Sequence, residues 1–362
     1  MKAGAYVHIP YCRKKCAYCA FTSTAGAVSE QYIDALIREI DGSAYTDLTF
    51  DTVFFGGGTP SLLPSGATKR IIDAIGKKFS LDPVEITVEG NPESLTQDKL
   101  NELKSAGVNR ISIGVQSLDD DCLKQIGRIH DKATALKALE NACNTFDNVS
   151  VDMMLGLPGR HDLKAELLRL TEFPISHLSA YMLTLEEGTP LMQKAHDGKI
   201  VLPSEDDAVA EYDLVKAVLE SKGFNRYEVS NFAKKGRECR HNLKYWQRKP
   251  YLGFGVAAHS CVGDKRFFNT DSTDAYLKGT TLAGEECVDK RSAMFESVML
   301  GLRLDQGLNR KDFLNDYGVD VCAQYKEQIA RVRDKLEITA DYVRVKPEFT
   351  CVLNSILVEF ME

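Results

Sequence analysis

The chain has 362 residues, of which 44% are hydrophobic and 27% charged, and its formal net charge is −7. That is an ordinary globular composition with length for two or three domains; the acidic balance excludes a broad nucleic-acid footprint, and no apolar run approaches a membrane span. Of the ten cysteines, Cys122, Cys143, Cys239, Cys261, Cys287, Cys322 and Cys351 are scattered singly, which fits reduced thiols in the cytoplasm and not a disulfide framework.

The opening stretch, Met1-Lys-Ala-Gly-Ala-Tyr6, runs directly into an apolar strand at residues 5–9, which leaves no room for a signal peptide. Behind that strand come Cys12, Cys16 and Cys19, spaced C-x3-C-x2-C in a loop made polar by Arg13, Lys14 and Lys15. Basic neighbours favour thiolate over thiol. Thiolates are soft ligands suited to iron–sulfur clusters, zinc or copper(I). Three of them on a four-iron cubane leave one iron without a protein ligand. A structural zinc site prefers four ligands in paired C-x2-C spacings. Only one such pair occurs here, with His8 as a candidate fourth ligand. The loop resembles that of radical S-adenosylmethionine (SAM) enzymes. That resemblance implies a [4Fe–4S] cluster whose open iron is chelated by the amino and carboxylate groups of SAM, with Tyr18 near the adenine.

Strand patterns continue at residues 49–55, 84–89, 109–114, 148–154 and 177–183. Helical patterns lie between them at 29–40, 66–79, 97–106, 119–126, 132–143 and 163–171. Such alternation predicts a parallel sheet with right-handed crossovers. Runs such as Val53-Phe-Phe55 carry apolar residues on both faces, as in a sheet covered by helices. Six units fall short of a closed eight-unit barrel, so the expected fold is α/β, an open, TIM-like (β/α)6 partial barrel. Its chemistry should sit at the C-terminal ends of the strands.

Unusual residues collect at those ends. The second strand runs into Gly56-Gly57-Gly58-Thr59-Pro60, where backbone amides can approach a ligand closely. The spacing is neither a P-loop nor a dinucleotide fingerprint. The third strand ends in Glu89-Gly-Asn-Pro92, which places a carboxylate at the mouth, suited to ribose hydroxyls or an ammonium group. The fourth ends in Gly114-Val-Gln116-Ser117, with Arg128 twelve residues after Gln116. The fifth carries Asp152 and then Gly156-Leu-Pro-Gly159. Together with the cysteine loop, these motifs resemble the oxygen-independent coproporphyrinogen III oxidase superfamily along essentially the whole chain. By motif, the resemblance assigns Tyr6, Gly57, Gly58, Thr59, Glu89, Gln116, Arg128 and Asp152 to a SAM pocket.

Two departures select a branch. The oxidases carry a fourth cysteine two residues after the third, where this chain has Phe21, and an N-terminal extension, whereas here the cysteine loop begins by residue 12. Both match the HemW branch, regarded as haem-binding chaperones, and both speak against oxidase activity. A third feature agrees: His241-Asn242-Leu-Lys-Tyr245-Trp246 has the form H-N-x-x-Y-W associated with haem in that branch. An imidazole for iron and flat apolar surface are what a haem site needs. The residues alone also allow a satisfied loop histidine beside core aromatics. Cys239 and His259 are alternative ligands, the latter behind a Gly-rich apolar stretch, 251–258, that could wall a flat ligand.

Residues 206–222 read as an amphipathic helix and 225–232 as an edge strand. Periodicity fades between 270 and 289, where 278–286 reads as a connector. Helices are expected at 292–304, 311–317 and 321–334, followed by a short alternation at 338–346 and an apolar close at 351–361. This suggests a small, mainly helical, winged-helix-like C-terminal domain. Asp305, Asp312, Asp316 and Asp320 make it a lid or docking module and not a DNA reader. The expected division is 1–225 for the radical SAM core, 226–289 completing it, and 290–362 for the C-terminal domain. The leading expectation is a cytoplasmic haem chaperone that passes haem to acceptor haemoproteins, membrane-bound respiratory ones among them, without binding nucleic acid or spanning a membrane. The alternative is a coproporphyrinogen III oxidase acting through a 5′-deoxyadenosyl radical; a zinc-stabilised module is the third.

Overall fold

A computed structural model describes residues 1–361. The last residue of the expected C-terminal domain, Glu362, lies outside the described residues. All six expected strand–helix units form. Strand β1 (Lys2–Ile9) is followed by α1 (Glu30–Gly42), β2 (Thr49–Gly57), α2 (Ala67–Lys78), β3 (Ser80–Gly90) and α3 (Gln97–Ser105). Then come β4 (Arg110–Gln116), α4 (Asp120–Gln125), α5 (Lys132–Thr145), β5 (Val149–Leu155), α6 (Leu163–Leu170) and β6 (His177–Met182). These six strands are parallel neighbours in chain order. The helices start where a short polar side chain can accept from the first free amides, as Ser29, Thr96, Asp131 and Asp162 do.

The two faces of the sheet differ in kind. Ala5, Val7 and Ile9 on β1, Val53 and Phe55 on β2, Ile111 and Ile113 on β4 and Val149 and Val151 on β5 are sealed beneath the helices in one core. The alternate residues face the barrel interior and are largely polar: Thr52, Thr87, Arg110, Ser112, Ser150, His177 and Ser179 are all buried. The expectation of apolar strands on both faces is therefore corrected. The helices of the six units cover the outer face, while the inner face encloses polar groups that must find partners.

The sheet also runs past the six units. After α7 (Pro190–His196) and α8 (Glu205–Ser221), the expected edge strand 225–232 is two short antiparallel pieces, β7 (Asn225–Arg226) and β8 (Asn231–Ala233), next to β6. Helix α9 (Arg240–Trp246) precedes β9 (Tyr251–Phe254), which pairs parallel with β1. From β9 the sheet continues through β10 (His259–Val262), β11 (Lys265–Asn269) and β12 (Leu282–Cys287), so its order is β12-β11-β10-β9-β1-β2-β3-β4-β5-β6-β8-β7. The glycines that obscured β9 are spatial necessities: a Cβ at Gly253 would stand 2.3 Å from the His259 carbonyl. The expected connector 278–286 is replaced by β12, whose side chains are exposed on both faces, so no two-residue alternation marks it. Glu39 of α1 anchors this extension, accepting from Gly255 N at 2.8 Å and from Asn269 Nδ2 at 2.6 Å.

Residues beyond 290 build a second core around Val298, Phe313, Ile329, Leu336, Val343 and Ile356. Its elements are helices and a three-stranded antiparallel sheet. The expected helix 321–334 is split at Tyr325 into Val321–Gln324 and Lys326–Arg331. The Arg226–Asp305 ion pair (2.5 Å) and the Arg248–Glu296–Arg266 set (2.8 and 2.5 Å) tie this unit to the barrel. Among the described residues no helix is long and apolar enough to cross a membrane.

The barrel floor is closed by α9. Glu85 on the inner face of β3, 3% exposed, accepts from Arg240 N at 2.9 Å and His241 N at 3.1 Å, with the Cys239 thiol at 3.5 Å. Arg110 lies beside it. Burial alone would lower the guanidinium's pKa, but the Cys239 thiol, Glu85, Tyr227 and Asp152 outweigh that and hold it above its ordinary value. Glu85→Ala leaves these amides without their acceptor and removes one of the negative charges beside the buried Arg110. It should cost about 3 kcal/mol in denaturant unfolding. An unchanged unfolding midpoint would show that Glu85 does not hold the floor.

Candidate functional site

The cysteine loop is pinned from three sides. Tyr11–Cys12 bridges to Thr24–Ala25, Ala17 N donates to Ile126 O at 2.9 Å, and Leu191 N donates to Ala17 O at 2.8 Å. Cys12, Cys16 and Cys19 all open onto one cavity of about 470 Å³ at the C-terminal ends of the strands. Thr59 Oγ1 donates to Cys12 Sγ and Arg128 Nη1 to Cys16 Sγ, each at 3.5 Å. The cation hydrogen-bonded to a thiol is therefore Arg128, while Arg13 and Lys15 donate to the carbonyls of Glu93 and Phe21. Burial pushes the Cys19 thiol upward.

Among the described residues, no three Cys, His, Asp or Glu side chains converge on one point as a single metal ion requires. Nor is His8 free to act as a zinc ligand. Its Nδ1 shares a hydrogen bond with Tyr6 OH and its Nε2 with Thr22 O, both at 3.0 Å. Three thiols spread around one cavity, with a polar donor on two of them, fit the larger frame of a cubane cluster.

The strand ends form the rest of the wall. Gly57 adopts φ 108°, and a Cβ there would lie 2.5 Å from the His8 ring, so only glycine brings this amide edge to the cavity. Its N–H donates to Glu89 Oε2 at 3.3 Å. Asp152 accepts from Ser112 Oγ at 3.2 Å. Gln116 sits at a register shift of β4 with φ 66°, a conformation rare for a residue with a side chain. Arg128 Nη2 donates to Asn91 Oδ1 at 2.7 Å and also to Gly114 O. Tyr18, Gly57, Gly58, Glu89, Gln116, Arg128 and Asp152 all line the cavity. Tyr6 and Thr59 stand behind it: Tyr6 packs under Gly56 beside Phe54, and Thr59 is 1% exposed between Cys12 and Asn91.

Glu89 and Asp152 give the cavity its character. Burial, then the charge of Asp152, pushes the Glu89 carboxyl up to about 8. Burial likewise raises Asp152, against the lowering effect of Ser179, Arg110 and Ser112. Two carboxyls short of positive charge make a site for hydroxyl donors or a cationic ligand.

Asn91, which joins Thr59 to Arg128, had no assigned role in the sequence although it lies within the Glu89-Gly-Asn-Pro motif. Tyr181 and Met182, at the end of β6, rim the mouth with Phe21, which is 70% exposed; no motif marked them.

The H-N-x-x-Y-W stretch is not an open ligand site. His241 is 1% exposed, its Nδ1 shares a hydrogen bond with Thr52 Oγ1 and its Nε2 with Tyr245 OH, both at 2.9 Å. It stacks on Phe54 with ring centroids 5.1 Å apart. Burial, then the Lys244 and Arg110 charges, lowers its pKa to about 3, so the ring is neutral. Cys239, the first alternative, is fully buried, and burial raises its thiol to about 12. Asn242, Tyr245 and Trp246 belong to the same partly buried floor helix.

A sequence model described as the radical SAM superfamily matches residues 6–171. The chain is 36% identical over 331 residues to the heme chaperone HemW of Bacillus subtilis, with 87% of each protein covered. To the heme chaperone HemW of Escherichia coli K12 it is 35% identical, covering 98% of this chain and 97% of the relative. Among solved structures, the coproporphyrinogen III oxidase HemN of Escherichia coli, a radical SAM enzyme, matches with a TM-score of 0.83. Its identity is 22%, over 99% of this chain and 89% of that one. At that identity the likeness shows the fold.

The raised Glu89 carboxyl makes a signed prediction. A carboxyl at about 8 in the folded chain, against an ordinary 4.5, keeps a proton that the unfolded chain has released. Stability therefore falls as pH rises between those values. Glu89→Gln removes that loss. SAM-free protein carrying it should resist urea better than the parent at pH 8.5 and no better at pH 4.5, while binding SAM more weakly. A stability difference that does not change with pH would remove this role for Glu89.

Proposed function

The chain belongs to the HemW family of radical SAM proteins, and from that premise we propose that it is a haem chaperone. In this reading Cys12, Cys16 and Cys19 hold a [4Fe–4S] cluster, SAM occupies the cavity beside it, and haem is cargo for acceptor haemoproteins. The observation that carries the reading is identity above 30% to heme chaperones along nearly the whole chain. The cluster, when bound, supplies an open iron for the amino and carboxylate groups of SAM.

The chain's own residues support a binding role for the cavity. Arg128 orders the loop through Cys16 and Asn91. Gly57 and Gly58 offer close backbone, and Glu89 and Asp152 suit ribose hydroxyls or a positive group. At the position where the oxidases have a fourth cysteine, this chain places Phe21, 70% exposed at the cavity mouth. An oxidase must exclude water and competing reactants around a radical intermediate; an exposed apolar rim suits contact with another molecule instead. Membrane-bound respiratory haemoproteins are the acceptors we favour, and the cytoplasm is the compartment that ten free cysteines support.

The test runs on one anaerobic sample. Reconstituted protein should carry about four irons, as a cubane requires. It should bind ferric haem with a defined Soret band and release it to an apo-haemoprotein. With SAM and reductant present it should leave coproporphyrinogen III unchanged. Conversion to protoporphyrinogen IX would overturn the chaperone reading.

A further inference from the structure

Among the described residues, Gln116 is the only one with a side chain that both lines the cysteine cavity and stands at positive φ, 66°. It is the centre of a three-residue turn in which Ser117 N donates to Val115 O at 2.8 Å. A turn of that kind around a positive φ is strained, and it persists only where its surroundings over-determine it. The turn also decides where the Gln116 amide goes. A Cβ on Gly114 would stand 3.0 Å from Gln116 Nε2 and 3.3 Å from Arg128 Nη2. The amide therefore lies over Gly114, beside the cation that reaches Cys16.

The restraint comes from behind the wall. Arg160, in the loop between β5 and α6, and Glu166 on α6 have side chains only 3% and 7% exposed, and Arg160 Nε lies 3.1 Å from Glu166 Oε1. Their other atoms hold the turn from both sides. Arg160 Nη2 donates to Gln116 O at 3.3 Å and to Met154 O at 2.6 Å, so one nitrogen ties the end of β4 to the end of β5. Glu166 Oε2 accepts from Ser117 Oγ at 2.8 Å and from Leu118 N at 2.5 Å. Glu211 of α8 steadies the arginine: its Oε2 lies 3.6 Å from Nη1 and accepts from Gly156 N at 2.6 Å. Two charges held out of water are unfavourable unless good geometry offsets the loss. The fold does not need them to seat α6, which Leu163, Leu167 and Leu170 already bury in the core. What the pair fixes is the backbone on either side of one strained residue.

We propose that Arg160 and Glu166 are positioning residues for SAM. Neither lines the cysteine cavity, and both act on it through the conformation of Gln116. The inference rests on the reading of that cavity as the SAM site, and it adds the pair to the residues on which binding depends. Arginine is what this place requires. Its planar fork serves two carbonyls and a carboxylate at once, whereas the single ammonium of lysine serves fewer. Released from the pair, residue 116 relaxes toward the commoner negative φ and turns its amide away from Gly114 and Arg128.

The experiment measures the SAM affinity of the full, cluster-reconstituted chain from the change SAM causes in the reduced cluster's EPR spectrum. Arg160→Lys and Glu166→Gln should each weaken binding about tenfold, with iron content and the SAM-free spectrum as in the parent. Gln116→Ala should weaken binding as well. Adding either substitution to Gln116→Ala should bring no further loss, because the pair acts through that side chain; a pair that merely stabilised the fold would give losses that add. Arg169→Ala, which removes an exposed ion pair with Glu172 on the same helix, should bind SAM as the parent does. Should Arg160→Lys lose its cluster, Glu166→Gln carries the same test. Additive losses would overturn the inference, as would parent-like affinity in Arg160→Lys and Glu166→Gln. A parent spectrum that does not respond to SAM would remove the SAM reading of the cavity itself, and the role of the pair with it.

Discussion

A half-barrel with a polar lining can persist only if its interior groups are partnered, and in this chain Glu85 is the group on which that partnership turns. Its carboxylate faces the N-terminal amides of α9 from below and stands beside Arg110. Amides at a helix start are unsatisfied by geometry, and a buried carboxylate is unfavourable without donors. Each solves the other's problem. The floor helix then delivers His241 under Phe54 and Lys244 to Asp51, at 2.6 Å.

With the floor closed, the interior becomes a graded column of charge. At the bottom, Glu85 and Arg110 compensate each other. At the top, Glu89 and Asp152 lack matching cations, and their carboxyls are held above the ordinary range by burial. That imbalance lies beside the three thiols, where ligand chemistry can answer it. The same sheet that builds the cavity continues through β9 to β12, where His259 is exposed.

Much of this was legible in the residues. The C-x3-C-x2-C spacing and the motifs at four successive strand ends located the cavity, because strand ends in a parallel α/β sheet are where ligands meet the backbone. The polar inner face was less legible, since a run such as Val53-Phe-Phe55 reads as apolar throughout while Thr52 and its neighbours on other strands turn inward. Strand β12 was invisible because neither of its faces is buried. The hardest case was His241. A histidine followed by asparagine, tyrosine and tryptophan has the same letters whether it is open to iron or locked between Thr52 and Tyr245, and only the fold separates the two. His259, behind a Gly-rich stretch, carried the weaker signal in the sequence and the more accessible ring in the structure.

The relation to coproporphyrinogen III oxidase is one of architecture. The fold is shared, and in this chain Phe21 is exposed at the rim of the cavity. If the cysteine cavity belongs to the cofactor and not to the cargo, SAM and haem should bind independently. The direct measurement is SAM affinity of the cluster-loaded chain with and without saturating ferric haem. The account predicts the same affinity in both conditions, with haem and SAM held at once. Displacement of SAM by haem would place the cargo in the cysteine cavity and contradict it.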